Sequence, residues 1–136
     1  MQASRPQRLL LLLCGSIAVA IGAGILLSPH AFFASNGIEL GADPNQLSEV
    51  RAPGAALLVL GAGMLCGVWV RSWTQVATAL GAAVYLAYGA ARLASMAIDG
   101  LPAGGLVGAT VVELLLGVGC LLALRGGARR AQMEVV

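Results

Sequence analysis

Four long apolar runs, separated by short polar segments, divide the chain. They cover residues 9–27, 52–70, 76–98 and 106–124. The first run is roughly 19 residues long and, at 1.5 Å per residue, spans about 28 Å as a helix, which matches the hydrocarbon core of a bilayer. Each run is therefore predicted to be a membrane-spanning helix. We expect residues 1–136 to form one domain, an all-α integral membrane protein folded as an antiparallel four-helix bundle.

The polar segment 29–48 is the longest of the connections and joins the first two runs. Asp43-Pro44 followed by Gln46 indicates a helix start near its end, with Asp43 as the N-cap and Gln46 closing a capping box. The rest of the segment has turn residues and few apolar anchors. We expect it to be a mobile loop that covers one end of the bundle.

The arginines indicate how the bundle is oriented. The first apolar run exceeds the 7–15 apolar residues typical of a cleaved signal peptide, so we expect it to be retained as a helix. Six of the eight cationic residues then fall on the side that holds both termini and the middle turn: Arg5, Arg8, Arg71, Arg125, Arg129 and Arg130. The positive-inside rule predicts that both termini are cytoplasmic, in a multi-pass protein of a bacterial inner (plasma) membrane.

The composition agrees with a bilayer environment. Apolar residues make up 59% of the chain, charged residues 10%, and the mean hydropathy is +0.89. A soluble domain carries about 25% charged residues, so this class is excluded. The net charge of +2 is small and the cations lie mostly at span ends, which argues against nucleic-acid binding. No catalytic motif is present, His30 stands alone in a loop without a second metal ligand, and no cofactor is indicated.

One stretch of the third run, residues 85–99, carries a narrow polar stripe. At about 100° per residue, its polar side chains fall within an arc of roughly 80° on one helix face. The members are Tyr85, Tyr88, Arg92, Ser95 and Asp99. An arginine inside a span is costly, and it usually faces the interior of the bundle and has a partner. This stripe is the best candidate for a site.

Counting depth from the span ends places a partner beside this stripe. Arg92 lies seven residues before Asp99, and Glu113 lies seven residues after Leu106, so both lie about 10 Å below the same end of adjacent antiparallel helices. We expect the two to pair. Charges at the entry to the second span reach the level of Asp99, so the hypothesis is a charged ligand site in the outer half of the bundle. Its residues are Glu49, Arg51, Tyr85, Tyr88, Arg92, Ser95, Asp99 and Glu113.

Each of these residues also has a structural explanation. Glu49 suits the positive end of a helix dipole, Arg51 can extend to lipid headgroups, and Asp99 can be a turn residue at the surface. The tyrosines are as readily packing residues. An Arg–Glu pair inside the bundle can serve a ligand or can simply fix helix packing.

The three cysteines, Cys14, Cys66 and Cys120, all fall within apolar runs. Each lies four to six residues from an arginine at a span end, so they can occupy one depth. Their odd number and the lack of a CxxC motif give no disulfide framework. A thiol cluster is one interpretation of this shared depth. The preferred interpretation is that they are small buried apolar residues, and no role is assigned to them.

Three segments resemble a family of small four-span bacterial membrane proteins, domain of unknown function 4345. They are SEVRAPG (48–54), YGAARLASMAIDG (88–100) and VVEL (111–114). The matching positions are Glu49, Arg51, Arg92, Ser95, Asp99, Gly100 and Glu113. One departure is that Gly89 stands three residues before Arg92, with Ala91 directly before it. The resemblance implies the four-span fold and no activity. The general layout is also similar to DoxX-type four-helix proteins, some of which accompany redox systems.

Two functions remain open at this point. The first is a membrane protein that binds a lipid or small molecule in the outer charged pocket, with enzymatic activity undecided. The second is an accessory or structural subunit whose charges only lock helix packing and whose partner is a second copy or another membrane subunit. Proton-coupled or drug transport fits less well, because the first span holds no acidic residue. A deep cavity at Arg92 and Glu113 favours the first, and a closed, paired network favours the second.

Overall fold

The computed structural model describes the backbone of residues 4–133 and the side chains of residues 4–126. All regular secondary structure in this range is helical, and these residues form no strand. The elements are α1 (Arg5–Leu27), α2 (Pro29–Ala34), α3 (Pro44–Trp69), a 3-10 turn (Arg71–Trp73), α4 (Thr74–Asp99) and α5 (Gly104–Met133). Four of these helices are long and apolar enough to cross a membrane, so the prediction of an all-α four-span protein is confirmed.

Helices α1 and α3 each begin at a residue whose side chain accepts a hydrogen bond from an amide of the first turn. Ser4 accepts a hydrogen bond from the backbone N–H of Gln7 at 3.4 Å, so α1 begins several residues before the apolar run. Asp43 caps α3 as predicted, accepting from the N–H of Asn45 at 2.9 Å. Gln46 does not close a capping box. Its side-chain oxygen instead accepts from the N–H of Gly41 at 2.9 Å, which ties the connection to the helix.

The connection between α1 and α3 is not entirely a loop, because it contains a short helix. It contains α2, and Asn36 closes the end of this helix by donating to the carbonyl oxygen of Phe32 at 3.1 Å. Gly37, with φ of 74°, provides the left-handed turn that follows. The mobility of this segment stays a prediction.

Helices α1 and α3 pack along a line of glycines that brings their backbones together. A methyl group added to Gly22 would lie 2.5 Å from the backbone nitrogen of Leu58 and 2.6 Å from the carbonyl oxygen of Gly54. One added to Gly61 would lie 2.9 Å from the carbonyl oxygen of Gly15. Both helices therefore carry glycines seven residues apart, which allow the close approach typical of small residues at membrane helix interfaces. We call this contact the glycine seam.

The second half of the chain forms another helix pair, α4 with α5. The two helix pairs meet near the turn that joins α3 to α4. There the hydroxyl of Thr74 donates to the carbonyl oxygen of Gly67 at 2.9 Å, and the indole of Trp73 donates to that of Gly63 at 2.9 Å. We call this end of the bundle, which also holds Ser4, the terminus end. The opposite end, with residues 28–43 and 100–103, is the loop end.

The apolar core lies in the terminus-end half. Its buried members are Leu11, Cys14, Met64, Ala77, Ala82, Tyr85, Leu116 and Cys120. A buried polar bond accompanies them: the amide of Gln7 donates to the hydroxyl of Thr78 at 3.0 Å, and this hydroxyl donates to the carbonyl oxygen of Thr74 at 2.7 Å. Toward the loop end, every residue of α4 beyond Gly89 is exposed except Arg92 and Met96. The helix pairs therefore share one core at one end only.

The C-terminal boundary differs from the sequence-based prediction. The last apolar run ends at residue 124, but α5 continues to Met133 because the residues that follow include helix formers and no proline. The side chains of Arg129 and Arg130, which support the predicted orientation, lie outside the described residues. The cytoplasmic location of the termini stays a prediction.

Candidate functional site

Arg92 of α4 and Glu113 of α5 form an ion pair. The Nε of Arg92 donates to both carboxylate oxygens of Glu113, at 3.1 Å each. The Glu113 side chain is 13% exposed and the Arg92 side chain is 33% exposed. The pairing expected from their equal depth is thus observed, with the carboxylate enclosed between the helices and the guanidinium reaching outward.

Two glycines bring α4 and α5 close enough for this pair. A methyl group on Gly89 would lie 2.7 Å from the side chain of Leu114, which is the residue next to Glu113. A methyl group on Gly117 would lie 2.9 Å from the backbone nitrogen of Leu86. Arg92 lies about one turn beyond Gly89 on α4. Because the two helices are this close, the side chain of Glu113 can reach the Nε of Arg92 directly.

The remaining stripe residues do not share one environment. Tyr85 is 5% exposed and points into the core, where its hydroxyl donates to the carbonyl oxygen of Cys14 at 2.6 Å. Tyr88 is exposed, and so are Ser95 and Asp99, whose side chains hydrogen-bond to each other at 2.9 Å. α1 covers α4 at the depth of Tyr85, whereas the end of α4 beyond Gly89 projects past the shared core. The stripe therefore splits into a buried part and an exposed part.

Glu49 and Arg51 lie elsewhere, on the α1–α3 pair. Both are exposed, and the Nε of Arg51 donates to the carbonyl oxygen of Leu26 at 3.3 Å. Arg51 lines an open groove of about 560 Å³ whose other residues are Leu26, Pro44, Leu47, Ser48, Ala52 and Ala55. Among residues 4–126, no hydrogen bond or ion pair links Glu49 or Arg51 to Arg92, Glu113 or Asp99. A single buried site of eight residues is therefore not supported, because the charges belong to two different helix pairs.

The chemistry available at the pair comes from the part of Arg92 that Glu113 leaves free. A guanidinium has five N–H donors, and only the Nε–H is directed at the carboxylate. Its two terminal nitrogens make no hydrogen bond to any residue from 4 to 126. Their planar arrangement matches a phosphate or carboxylate. The positive charge of Arg92 is thus balanced by Glu113, but the two terminal nitrogens of the guanidinium can still bind an anion.

Comparison with known families agrees with the motifs around these charges. A family described as "Domain of unknown function (DUF4345)" matches residues 6–124, which is most of the chain. The chain belongs to this family. Similarity to DoxX-type proteins is not shown. No curated protein and no solved structure matches the chain.

The DUF4345 domain also contains a contact between two of the cysteines, to which the sequence analysis assigned no role. The thiols of Cys14 in α1 and Cys120 in α5 are both fully buried, and their sulfur atoms are 3.8 Å apart. Cys66 is exposed on α3, so the interpretation of the cysteines as buried residues is wrong for this one. Equal depth was visible in the sequence, but which two of the three cysteines meet depends on how the helices are rotated about their axes.

Proposed function

We propose that this DUF4345 protein binds the anionic headgroup of a lipid, or a small anion of the same chemistry, at the face of α4 and α5 near the loop end. The observation that carries the proposal is the state of Arg92. Its Nε holds Glu113, its terminal nitrogens have no hydrogen-bond partner among residues 4–126, and a third of its side chain is exposed.

The position of Arg92 in the span makes an anionic partner favourable. An arginine facing hydrocarbon is costly, and its long side chain relieves the cost by extending toward the interface. Arg92 lies about 10 Å from the end of α4, which lets the guanidinium approach the headgroup level. Tyr88 and Ser95, each about one turn away on the exposed face, add hydroxyl groups beside it. A phosphate bound here satisfies the remaining guanidinium donors.

The proposed setting is a bacterial inner (plasma) membrane with the loop end on the outer side. The distribution of arginines supports this orientation, because six lie toward the terminus end and none lies in the loop-end connections. The ligand then comes from the outer leaflet or from the outer aqueous phase.

A second candidate function is structural. Glu113 accepts from Nε with both oxygens and is largely enclosed, which is the geometry of a latch between α4 and α5. In this case the DUF4345 protein is an accessory subunit, and the exposed stripe contacts a second copy or another membrane protein.

Native mass spectrometry of the purified protein can separate these functions. Phosphatidylglycerol and inorganic phosphate are titrated separately against the wild type and the Arg92→Gln/Glu113→Gln double variant, which removes the pair without leaving one charge alone. Loss of a charge-assisted contact is expected to weaken phosphatidylglycerol or phosphate binding about tenfold or more. Arg71→Gln, an exposed arginine at the terminus end, is the matched control for the lost charge. Equal binding by the double variant and the wild type for both probes would leave only the structural role.

A further inference from the structure

The side-chain pair formed by Cys14 and Cys120 is independent of the proposed anion site. The two residues are 106 positions apart in the sequence and belong to different helix pairs. Both sulfur atoms are fully buried and 3.8 Å apart, so a thiol of one contacts the thiol of the other. We propose that Cys14 and Cys120 are a redox-modification site, a dithiol that a small uncharged peroxide oxidises to an intramolecular disulfide.

The surroundings favour a neutral product. Among the described residues, no group of three His, Cys, Asp or Glu side chains lies together to hold a metal ion. The other side chains of this core cluster are uncharged: Leu11, Met64, Ala77, Ala82, Tyr85 and Leu116. The two thiols would supply only two ligands, whereas zinc sites in proteins have three or four protein ligands. A disulfide carries no charge and adds no donor or acceptor that needs a partner.

The packing also leaves room for the sulfur atoms. A methyl group on Gly81 of α4 would lie 3.1 Å from the Sγ of Cys120, so the absence of a side chain at this position accommodates the thiol. Bond formation requires the two sulfur atoms to approach from 3.8 Å to about 2.05 Å.

The reaction is balanced with hydrogen peroxide as the two-electron oxidant. One cysteine sulfur attacks the peroxide O–O bond, which gives a sulfenic acid and one water. The second sulfur then attacks the sulfenic sulfur, forms the S–S bond and releases a second water. Two thiols are oxidised, one peroxide is reduced to two waters, and the thiol protons are carried away in the water. The product links α1 to α5, and with them the two helix pairs.

Peptide mapping after peroxide treatment of native membranes tests the proposal. Remaining thiols are blocked with N-ethylmaleimide in SDS, and the protein is digested without reductant. The expected result is a peptide containing Cys14 linked to one containing Cys120, lighter by two hydrogen atoms than the separate peptides, while Cys66 carries maleimide. Because the bond is buried, dithiothreitol should reduce it only after the protein is unfolded in SDS.

Two variants control the assignment. Cys66→Ser changes the exposed cysteine and should form the same link, whereas Cys120→Ser should form none. The proposal is wrong if peroxide leaves both Cys14 and Cys120 open to maleimide, if the link contains Cys66, or if one buried thiol reaches the sulfinic acid without a link. All three outcomes can be read on the wild-type protein, so the folding of a variant does not decide the result.

Discussion

Arg92 and Glu113 should behave as one energetic unit, and the structure gives the scale of their coupling. Breaking a fully buried ion pair costs about 3–5 kcal/mol, whereas an exposed pair contributes about 0–1 kcal/mol. Interhelical hydrogen bonds in membranes average about 0.6 kcal/mol and reach about 1.7 kcal/mol. Glu113 is 13% exposed and Arg92 is 33% exposed, so the pair lies between these limits. We expect a coupling free energy of about 1–2 kcal/mol.

The single changes should also differ from each other. Glu113→Gln leaves a guanidinium that can turn toward the headgroups, whereas Arg92→Met leaves a carboxylate enclosed between α4 and α5. We therefore expect Arg92→Met to lower the free energy of unfolding more than Glu113→Gln does, and the double change to cost clearly less than the sum of the two.

The measurement is a double-mutant cycle on the free energy of unfolding, obtained by SDS titration in mixed micelles and followed by far-UV circular dichroism. Ser95→Ala removes an exposed hydrogen bond on the same helix and is the control, with an expected change within about 0.5 kcal/mol. Additivity of Arg92→Met and Glu113→Gln to within about 0.3–0.5 kcal/mol would refute the coupling.

Three further predictions follow from the packing, from the buried polar bond and from the charge distribution. Gly22→Ala should destabilise the protein by about 2 kcal/mol or more, because the added methyl group meets the backbone of α3, whereas Gly108→Ala, with nothing within 4 Å, should have little effect in the same unfolding assay. Thr78→Val should cost about 1–3 kcal/mol, since it leaves the buried amide of Gln7 without its acceptor, and thermal unfolding in detergent measures this loss. A cysteine in place of Ser72 should react with a membrane-impermeant maleimide only after the cells are opened; labelling in intact cells would reverse the predicted orientation.

The ion pair could be predicted from the sequence because few alternatives exist for either charge. Arg92 and Glu113 lie away from the span ends, at equal depth, on helices joined by only four residues, 100–103. Such helices are antiparallel neighbours, so two charges at equal depth that both avoid the lipid are expected to face each other. The four-span fold follows in the same way from run length and composition.

Glu49, Arg51 and the cysteines show what the sequence pattern could not predict, namely which helices contact each other along a given face. Periodicity tells which residues of one helix share a face, but not which neighbouring helix this face meets. At the loop end, Arg51 of α3 donates to the carbonyl oxygen of Leu26 on α1, so it does not join Arg92 even at a similar depth. Tyr85 and Tyr88 are close in angle, yet one is buried and the other exposed, because α4 is covered only over part of its length.

The glycine seam has a consequence for how the protein is made. Its residues, Gly15, Gly22, Gly54 and Gly61, all belong to the first half of the chain. During synthesis, α1 and α3 can therefore pack together inside the membrane before the ribosome has completed α4 and α5. The contact between Cys14 and Cys120 can form only when the last helix has been inserted. A released fragment that ends after residue 70 should therefore already hold its first two spans together, whereas these two thiols become neighbours only once α5 is present.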